Sequence, residues 1–204
     1  MSTPRLLVAL DGSPLEGSSV HRLLAAVCSG ARAAGGRTEH VRVYTLQNVK
    51  PCVACGVDAT PGYCIFHDDM DRVYDLLERA HAVVVGSPIY FDTVSGPLKT
   101  LMDRCNCITP LVTLADGTQD CIAKWRRTRR GAFVTACSQP GRHAMAERSV
   151  RGFLKWVGAQ WEETVAWEHE DNDLGTVSQP LLAQAEALGR RLVESAPLTA
   201  DAQS

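Results

Sequence analysis

A chain of 204 residues, 45% hydrophobic and 22% charged, is long enough to bury about 70% of its unfolded surface without disulfide or metal staples. Its 21 Lys and Arg against 23 Asp and Glu leave a net charge of −2, which argues against a general nucleic-acid binder. No apolar run approaches a membrane span, and Asp11 and Gly12 interrupt the first apolar stretch too early for a secretion signal. A cytoplasmic location is therefore expected, with no membrane or nucleic-acid partner, and the eight sparse cysteines should be mostly reduced.

In chain order, Leu6 to Leu10 reads as a buried strand entering a turn at Asp11-Gly12-Ser13-Pro14. Val20, Leu23, Leu24, Val27 and Ala31 form a helical stripe, closed by Gly35-Gly36. Thr38 to Leu46 is strand-like, and Lys50 to His67 is an irregular excursion carrying three cysteines. Asp68-Asp69 then suit the start of a helix whose stripe is Met70, Val73, Leu76, Leu77 and Ala80. Ala82 to Gly86 is another strand, followed by a helix from about Ser95. Thr109 to Lys124 reads as an insertion with a hairpin signal at Asp116-Gly117. Gly131 to Cys137 is a strand, His143 through Val157 a helix, Gln160 to Glu168 an edge strand, and Gln179 to Val193 a helix. The alternation predicts one α/β domain over residues 1–195, a parallel sheet with helices on both faces, and a loose tail at 196–204.

Ligands of such sheets lie beyond the carboxyl ends of the strands. Three loops fall there. Gly12 to Ser19 can cradle a phosphate: amides at a helix start point outward, Ser13, Ser18 and Ser19 add hydroxyls, and Gly17 frees the backbone. The same segment also reads as a tight turn with Ser18 as N-cap, and it is neither a Walker loop nor a G-x-G-x-x-G fingerprint. Gly86 to Lys99 carries adjacent aromatics, Tyr90 and Phe91, which suit the wall of a flat ring system; the alternative packs Phe91 into the sheet end. The third loop runs from Ala136 to Arg142.

Gly12-Ser13-Pro14 with Gly17, Asp68-Asp69-Met70, Gly86-Ser87-Pro88-Ile89-Tyr90-Phe91, Ser95-Gly96-Pro97-Leu98-Lys99 and Asp103-Arg104 together resemble the flavodoxin-like NAD(P)H-dependent FMN reductases. The branch containing the iron–sulfur flavoproteins is the most similar. The resemblance implies a flavodoxin-like three-layer sandwich with a five-stranded parallel sheet in the order 2-1-3-4-5. It also implies bound FMN, NADPH or NADH as electron donor, a small-molecule acceptor such as a quinone or flavin, and a homodimer or homotetramer. On this resemblance Ser13, Gly17, Ser18 and Ser19 hold the phosphate, and Pro88, Ile89, Tyr90, Phe91, Ser95 and Gly96 wrap the ring. Thr135, Ala136, Cys137 and Gly141 cover its other side, and backbone donors from Ile89 to Phe91 face the ring's polar edge. Leu15 and Ser19 stand where the family often has Arg and Asn, leaving the phosphate to amides and serines.

The chemistry of such a protein is carried by its cofactor. No side-chain acid or base is required, although Tyr90 and Cys137 lie where a contact with the reacting ring is expected. The alternatives are a flavodoxin-type or iron–sulfur electron carrier, and a biosynthetic flavoenzyme whose specificity lies in the 109–124 insertion and Trp125.

Cys52, Cys55 and Cys64 occupy the place of the iron–sulfur branch's cysteine run, but Val57 or Asp58 fills the third position. Three thiolates fall short of a cluster, which is not expected. With His67 they would make a Cys₃His zinc set; that and a redox disulfide are the lesser readings beside a metal-free loop. Cys28, Cys121 and Cys137 read as buried hydrophobes, and Cys105 and Cys107 as packing near the flavin side. The basic run Lys124 to Arg130 reads as a solvated approach to a strand, or as a dock for a phosphate. His143 reads as a helix-start histidine and Glu168 to Asp173 as a solvated acidic turn.

Overall fold

The computed structural model describes residues 3–57, 59, 62–109, 111–121, 125, 128–169 and 175–194. The main sheet contains β1 (Leu6–Asp11), β2 (Arg37–Arg42), β3 (Ala82–Pro88), β6 (Arg129–Cys137) and β7 (Ala159–Glu168), in the order β2-β1-β3-β6-β7. Every pairing is parallel, so this is the predicted 2-1-3-4-5 order once the small hairpin is set aside. That hairpin pairs β4 (Leu111–Thr113) with β5 (Gln119–Cys121) around Asp116-Gly117, as the turn signal predicts.

Both faces of the sheet are covered, which is why its central strands read as unbroken apolar runs. Val8, Leu10, Val83, Val85 and Phe133 face a core closed by α2 (Met70–Arg79), α3 (Gly96–Arg104) and α4 (Ala144–Trp156). Leu7, Ala9, Ala82, Val84, Ala132 and Val134 face α1 (Ser19–Ala33) and α5 (Gln179–Glu194). The second edge strand stops earlier than the sequence suggests, because Val43–Thr45 turns into a 3₁₀ helix closed by Leu46 N–H donating to the Val43 carbonyl at 3.2 Å.

The carboxyl ends of β1, β3 and β6 lie side by side, with Leu10↔Val85 and Val85↔Phe133 in register. Their loops therefore emerge at one end of the sheet. Among the described residues no helix is long and apolar enough to cross a membrane. The predicted tail at 196–204 lies outside the described residues.

Candidate functional site

The roots of the loops are bound to one another before any ligand is considered. Gly12 N–H donates to the Gly86 carbonyl at 2.8 Å, and the buried Ser95 hydroxyl donates to the Gly12 carbonyl at 2.7 Å. Ser95 N–H reaches the Ser87 hydroxyl at 2.9 Å, and the Thr135 hydroxyl reaches the Ser87 carbonyl at 2.7 Å. A Cβ on Gly12 would stand 2.8 Å from the Leu98 side chain, so glycine is required for this crossing. Ser95 and Thr135 thus lie in the floor with their hydroxyls engaged, and neither lines the cleft above it.

That cleft has a volume of about 220 Å³ and is walled by the first, second and third loops. On the first loop, Ser18 is the N-cap of α1: its hydroxyl accepts the His21 amide at 3.3 Å and lies 2.7 Å from the Ser13 hydroxyl. The N–H groups of Leu15, Glu16 and Gly17, in the turn just ahead of α1, bond no protein acceptor among the described residues. Successive turn amides of this kind form an anion-binding concavity, and the dipole of the helix that follows adds positive potential there. Gly17 adopts φ +76° with open space where a Cβ would lie, so it serves the left-handed turn and not a close approach within the protein. Ser19 also lines the cleft, with its hydroxyl donating to the Thr176 carbonyl at 2.9 Å.

Pro88, Ile89 and Tyr90 make the second wall. Two of the three amides expected to face a ring are already engaged, Ile89 N–H with the Ala136 carbonyl at 3.3 Å and Tyr90 N–H with the Thr93 carbonyl at 2.9 Å. Tyr90 is half exposed, and burial, with Tyr44 nearby, raises its pKa, so it is a neutral phenol. Phe91 departs from the expected aromatic pair. Its φ of 50° and that of Asp92, 62°, form a left-handed corner that throws the Phe91 side chain into solvent, away from the cleft lining and from the sheet end alike. Asp92 then pairs with Arg142 at 2.5 Å, joining the second loop to the third.

Ala136, Cys137 and Ser138 form the third wall. Cys137 lines the cleft with its sulfur donating to the Gln139 carbonyl at 3.3 Å, and burial, and next the Glu168 carboxylate, raises its pKa, so it is an un-ionised thiol. Glu168 accepts the Gly141 amide at 2.7 Å and lies 3.0 Å from His143 Nδ1, which fixes the far end of this loop. Gly96, Gly141 and His143 stand outside the cleft lining. His169 lines it unexpectedly: its N–H donates to the Cys137 carbonyl at 3.1 Å and its ring stacks on Trp167. The available signal was register, since Cys137 pairs with Glu168 and brings the next residue to the same end of the sheet.

The cysteine loop lines a second cavity, of about 170 Å³. Cys52, Cys55 and Cys64 are joined there by Cys107, a fourth cysteine delivered by the turn after α3. Cys105 and Cys107 are therefore placed at this cavity's side of the molecule and not in the cleft; Cys105 is fully buried. The Cys₃His zinc set is not assembled. Among the described residues no three of those donors lie within 4.8 Å of one another, and exposed His67 faces Asp71 instead. Four cysteines around one cavity do match an iron–sulfur cluster in number. The Asp68 and Arg104 motifs meet here as a buried ion pair of 2.7 Å, with Arg104 also donating to the Lys50 carbonyl at 2.9 Å; they anchor the loop.

The basic run resolves into structure where it is described. Arg129 is buried and donates to the carbonyls of Leu77, Val157 and Glu78 at 2.9, 3.0 and 2.8 Å, and Arg130 pairs with Glu162. Trp125, expected at a specificity surface, is buried against Tyr63 and the Arg129 guanidinium. Lys124, Arg126 and Arg127, and residues 170–174 of the acidic turn, lie outside the described residues.

An open parallel sheet with a donor-lined helix start and an apolar slot at its switch point defines the class as a flavodoxin-like α/β protein. The model of the NADPH-dependent FMN reductase family matches residues 6–168, and the chain belongs to that family. It is 31% identical over 98 residues to an iron–sulfur flavoprotein of Methanosarcina thermophila, a match covering 48% of this chain and 51% of that protein. The chain thus spans about half the length of the curated relatives it matches. In fold it is similar to an NADH:FMN oxidoreductase in its apo form, with a TM-score of 0.63 at 16% identity, covering 95% of this chain and 92% of the other. It is also similar to a flavodoxin from the domain Archaea, with a TM-score of 0.56 at 13% identity, covering 93% and 96%.

Proposed function

We propose that this chain is an FMN-dependent oxidoreductase, fed by NADPH or NADH, that reduces a small acceptor such as a quinone or a flavin. The observation that carries the reading is the set of unbonded N–H groups from Leu15 to Gly17 in the turn just ahead of α1, beside an apolar slot. FMN, when bound, would supply the two-electron redox chemistry that links a nicotinamide donor to the acceptor.

The chain's own part is to bind and orient. The Leu15 to Gly17 amides receive the phosphate dianion, with the Ser13 and Ser18 hydroxyls as turnable donors, in place of the arginine that Leu15 replaces. Pro88, Ile89 and Tyr90 on one side, with Ala136 and un-ionised Cys137 on the other, hold the ring in an apolar slot and keep water from it. The exposed loop tip at Phe91 and the open side of the cleft suit a second copy of the chain, which is the expected assembly.

The test is a titration with FMN and with riboflavin. FMN is expected to bind at least tenfold more tightly, and Ser18→Asp to abolish most of that preference, because its charge opposes the phosphate. Equal affinity for the two flavins, or none for either, would overturn the site. Anaerobic NADPH or NADH should then bleach the bound flavin.

One observation favours a second reading, an iron–sulfur electron carrier: Cys107 completes four cysteines around the second cavity. There Cys52, Cys55, Cys64 and Cys107 would hold a cluster, which supplies one-electron transfer when bound. Near-stoichiometric iron and sulfide in anaerobically purified protein, lost in Cys107→Ser, would establish it.

A further inference from the structure

A separate group of side chains gathers at the end of β1. Asp11 from β1, His21 from α1 and His40 from β2 converge on one oxygen: Asp11 Oδ2 lies 2.9 Å from His21 Nδ1 and 3.1 Å from His40 Nε2. Asp11 is fully buried, whereas the imidazoles are 21% and 29% exposed. A buried carboxylate is costly unless it is paired or coordinates a cation. Among the described residues these two imidazoles are its only ion-pair partners, and neither is a permanent charge.

The spacing has a second meaning. Ligands held about 2.0–2.1 Å from one ion, at angles between a right angle and the tetrahedral value, lie about 2.9–3.4 Å apart. Both oxygen–nitrogen separations fall in that interval, and the three donor atoms lie within 4.8 Å of one another. One His offers Nδ1 and the other Nε2, and either nitrogen of a neutral imidazole can ligate. The remaining carboxylate oxygen, Asp11 Oδ1, accepts the Ser13 amide at 2.9 Å, the kind of outer hydrogen bond that orients a ligating carboxylate. The partial exposure of both rings leaves the centre reachable from solvent.

We propose that Asp11, His21 and His40 form a mononuclear site for a divalent first-row transition ion of the zinc class, with water in the remaining position. The ion joins β1, α1 and β2 at one point and, through Asp11 Oδ1 and the Ser13 amide, stiffens the turn from which the first loop springs. This inference stands on its own residues and does not require the flavin reading.

The probe is Co²⁺, titrated into full-length Cys52→Ser/Cys55→Ser/Cys64→Ser protein so that loop thiols cannot bind it. The expected result is one Co²⁺ per chain, with ligand-field bands and no sulfur charge-transfer band. Affinity should fall at least tenfold in His21→Ala and in His40→Ala. His40→Cys should restore binding and introduce the sulfur band, a readout that a purely structural histidine would not produce. No saturable binding in the parent protein, or affinities within twofold in both alanine variants, would mean that the three side chains are only hydrogen-bonded and would overturn the proposal. A sulfur band in the parent would move the ion to Cys137, His143 and Glu168, the other close group, and would overturn it equally. Should the alanine variants fail to fold, a folded His40→Cys protein without the sulfur band decides against it.

Discussion

The Ser95 hydroxyl donates to the Gly12 carbonyl across 2.7 Å, so the residue that precedes α3 holds the turn that leads into α1. Both groups are buried, and removing the hydroxyl strands the carbonyl without its partner. A buried unmet acceptor costs about 1–3 kcal/mol. Ser95→Ala is expected to lose that much in urea unfolding and to bind FMN several-fold more weakly, because the first and second loops share this joint. An unchanged unfolding midpoint would show that the turn is held by Gly12 N–H and Gly86 alone.

Much of this architecture can be read along the chain, and most of the residues that cannot share one property. Leu6 to Leu10 and Ala82 to Gly86 announce themselves because both faces of their strands are buried. Ser13, Ser18, Pro88, Tyr90 and Cys137 are legible as cleft residues because each sits at or past the carboxyl end of a strand that the pattern reveals. Cys107, His169 and the Asp11–His21–His40 group are not, since each depends on which distant element lies alongside. His40 is placed beside Asp11 by the pairing of β2 with β1, which places Leu10 opposite Val41. Arg129 misled in the opposite sense: its charge suggested a surface, but three backbone carbonyls at the ends of α2 and α4 bury it. Phe91 failed for a local reason, a left-handed corner that no composition rule signals.

The two aromatics of the second loop should separate cleanly by mutation. Tyr90 lines the cleft, whereas Phe91 is wholly exposed. Tyr90→Ala is expected to weaken FMN binding about tenfold, or ~1.4 kcal/mol. Phe91→Ala should leave the affinity of the isolated chain within twofold. Flavin fluorescence titration measures both, and a larger effect at Phe91 than at Tyr90 would reverse the assignment of the wall.

Helices α1 and α5 meet backbone to backbone. A Cβ on Gly30 would fall 1.9 Å from the Glu186 carbonyl oxygen, and one on Gly189 would fall 1.9 Å from that of Val27. Neither backbone can yield without parting the helices, so Gly30→Ala and Gly189→Ala should each destabilise the protein by about 1–3 kcal/mol or more. Gly152, on α4, faces open space, and Gly152→Ala should stabilise by up to ~1 kcal/mol through helix propensity. Thermal melts of the three variants test the contrast, which fails if all shift in one direction.

Acid should loosen the cysteine loop through Asp68. Burial pushes its pKa up, but hydrogen bonds from Arg104 and from the Met70 and Lys50 amides outweigh that and hold it below the ordinary 3.8. A carboxyl whose folded pKa is depressed adds stability above its unfolded pKa, and that stability is lost as pH falls through the folded value. Unfolding free energy should therefore decline below about pH 4 from this group. Asp68→Asn should be less stable at pH 7 yet show a shallower acid slope. Identical slopes in urea titrations of the two proteins would remove Asp68 from the account.

Cysteine alkylation reads the burial map and the cleft together. Cys52 and Cys55 are exposed, whereas burial lifts the Cys28 thiol to about 11 and raises Cys105 as well, with Cys107 adding to the latter. Cys137 is intermediate in character: the residue lines the cleft, but burial and the Glu168 carboxylate keep its thiol protonated. Since the thiolate is the nucleophile, neutral-pH labelling should take Cys52 and Cys55 first, then Cys137, with Cys28 and Cys105 protected until unfolding. Raising the pH to about 9 should speed Cys137 markedly, because ionisation of this thiol is still incomplete there. FMN bound as proposed, against the third wall, should slow Cys137 several-fold while leaving Cys52 and Cys55 unchanged. Peptide mass mapping gives each rate, and a Cys137 that labels as quickly as Cys52, or that ignores FMN, would place the flavin somewhere other than this cleft.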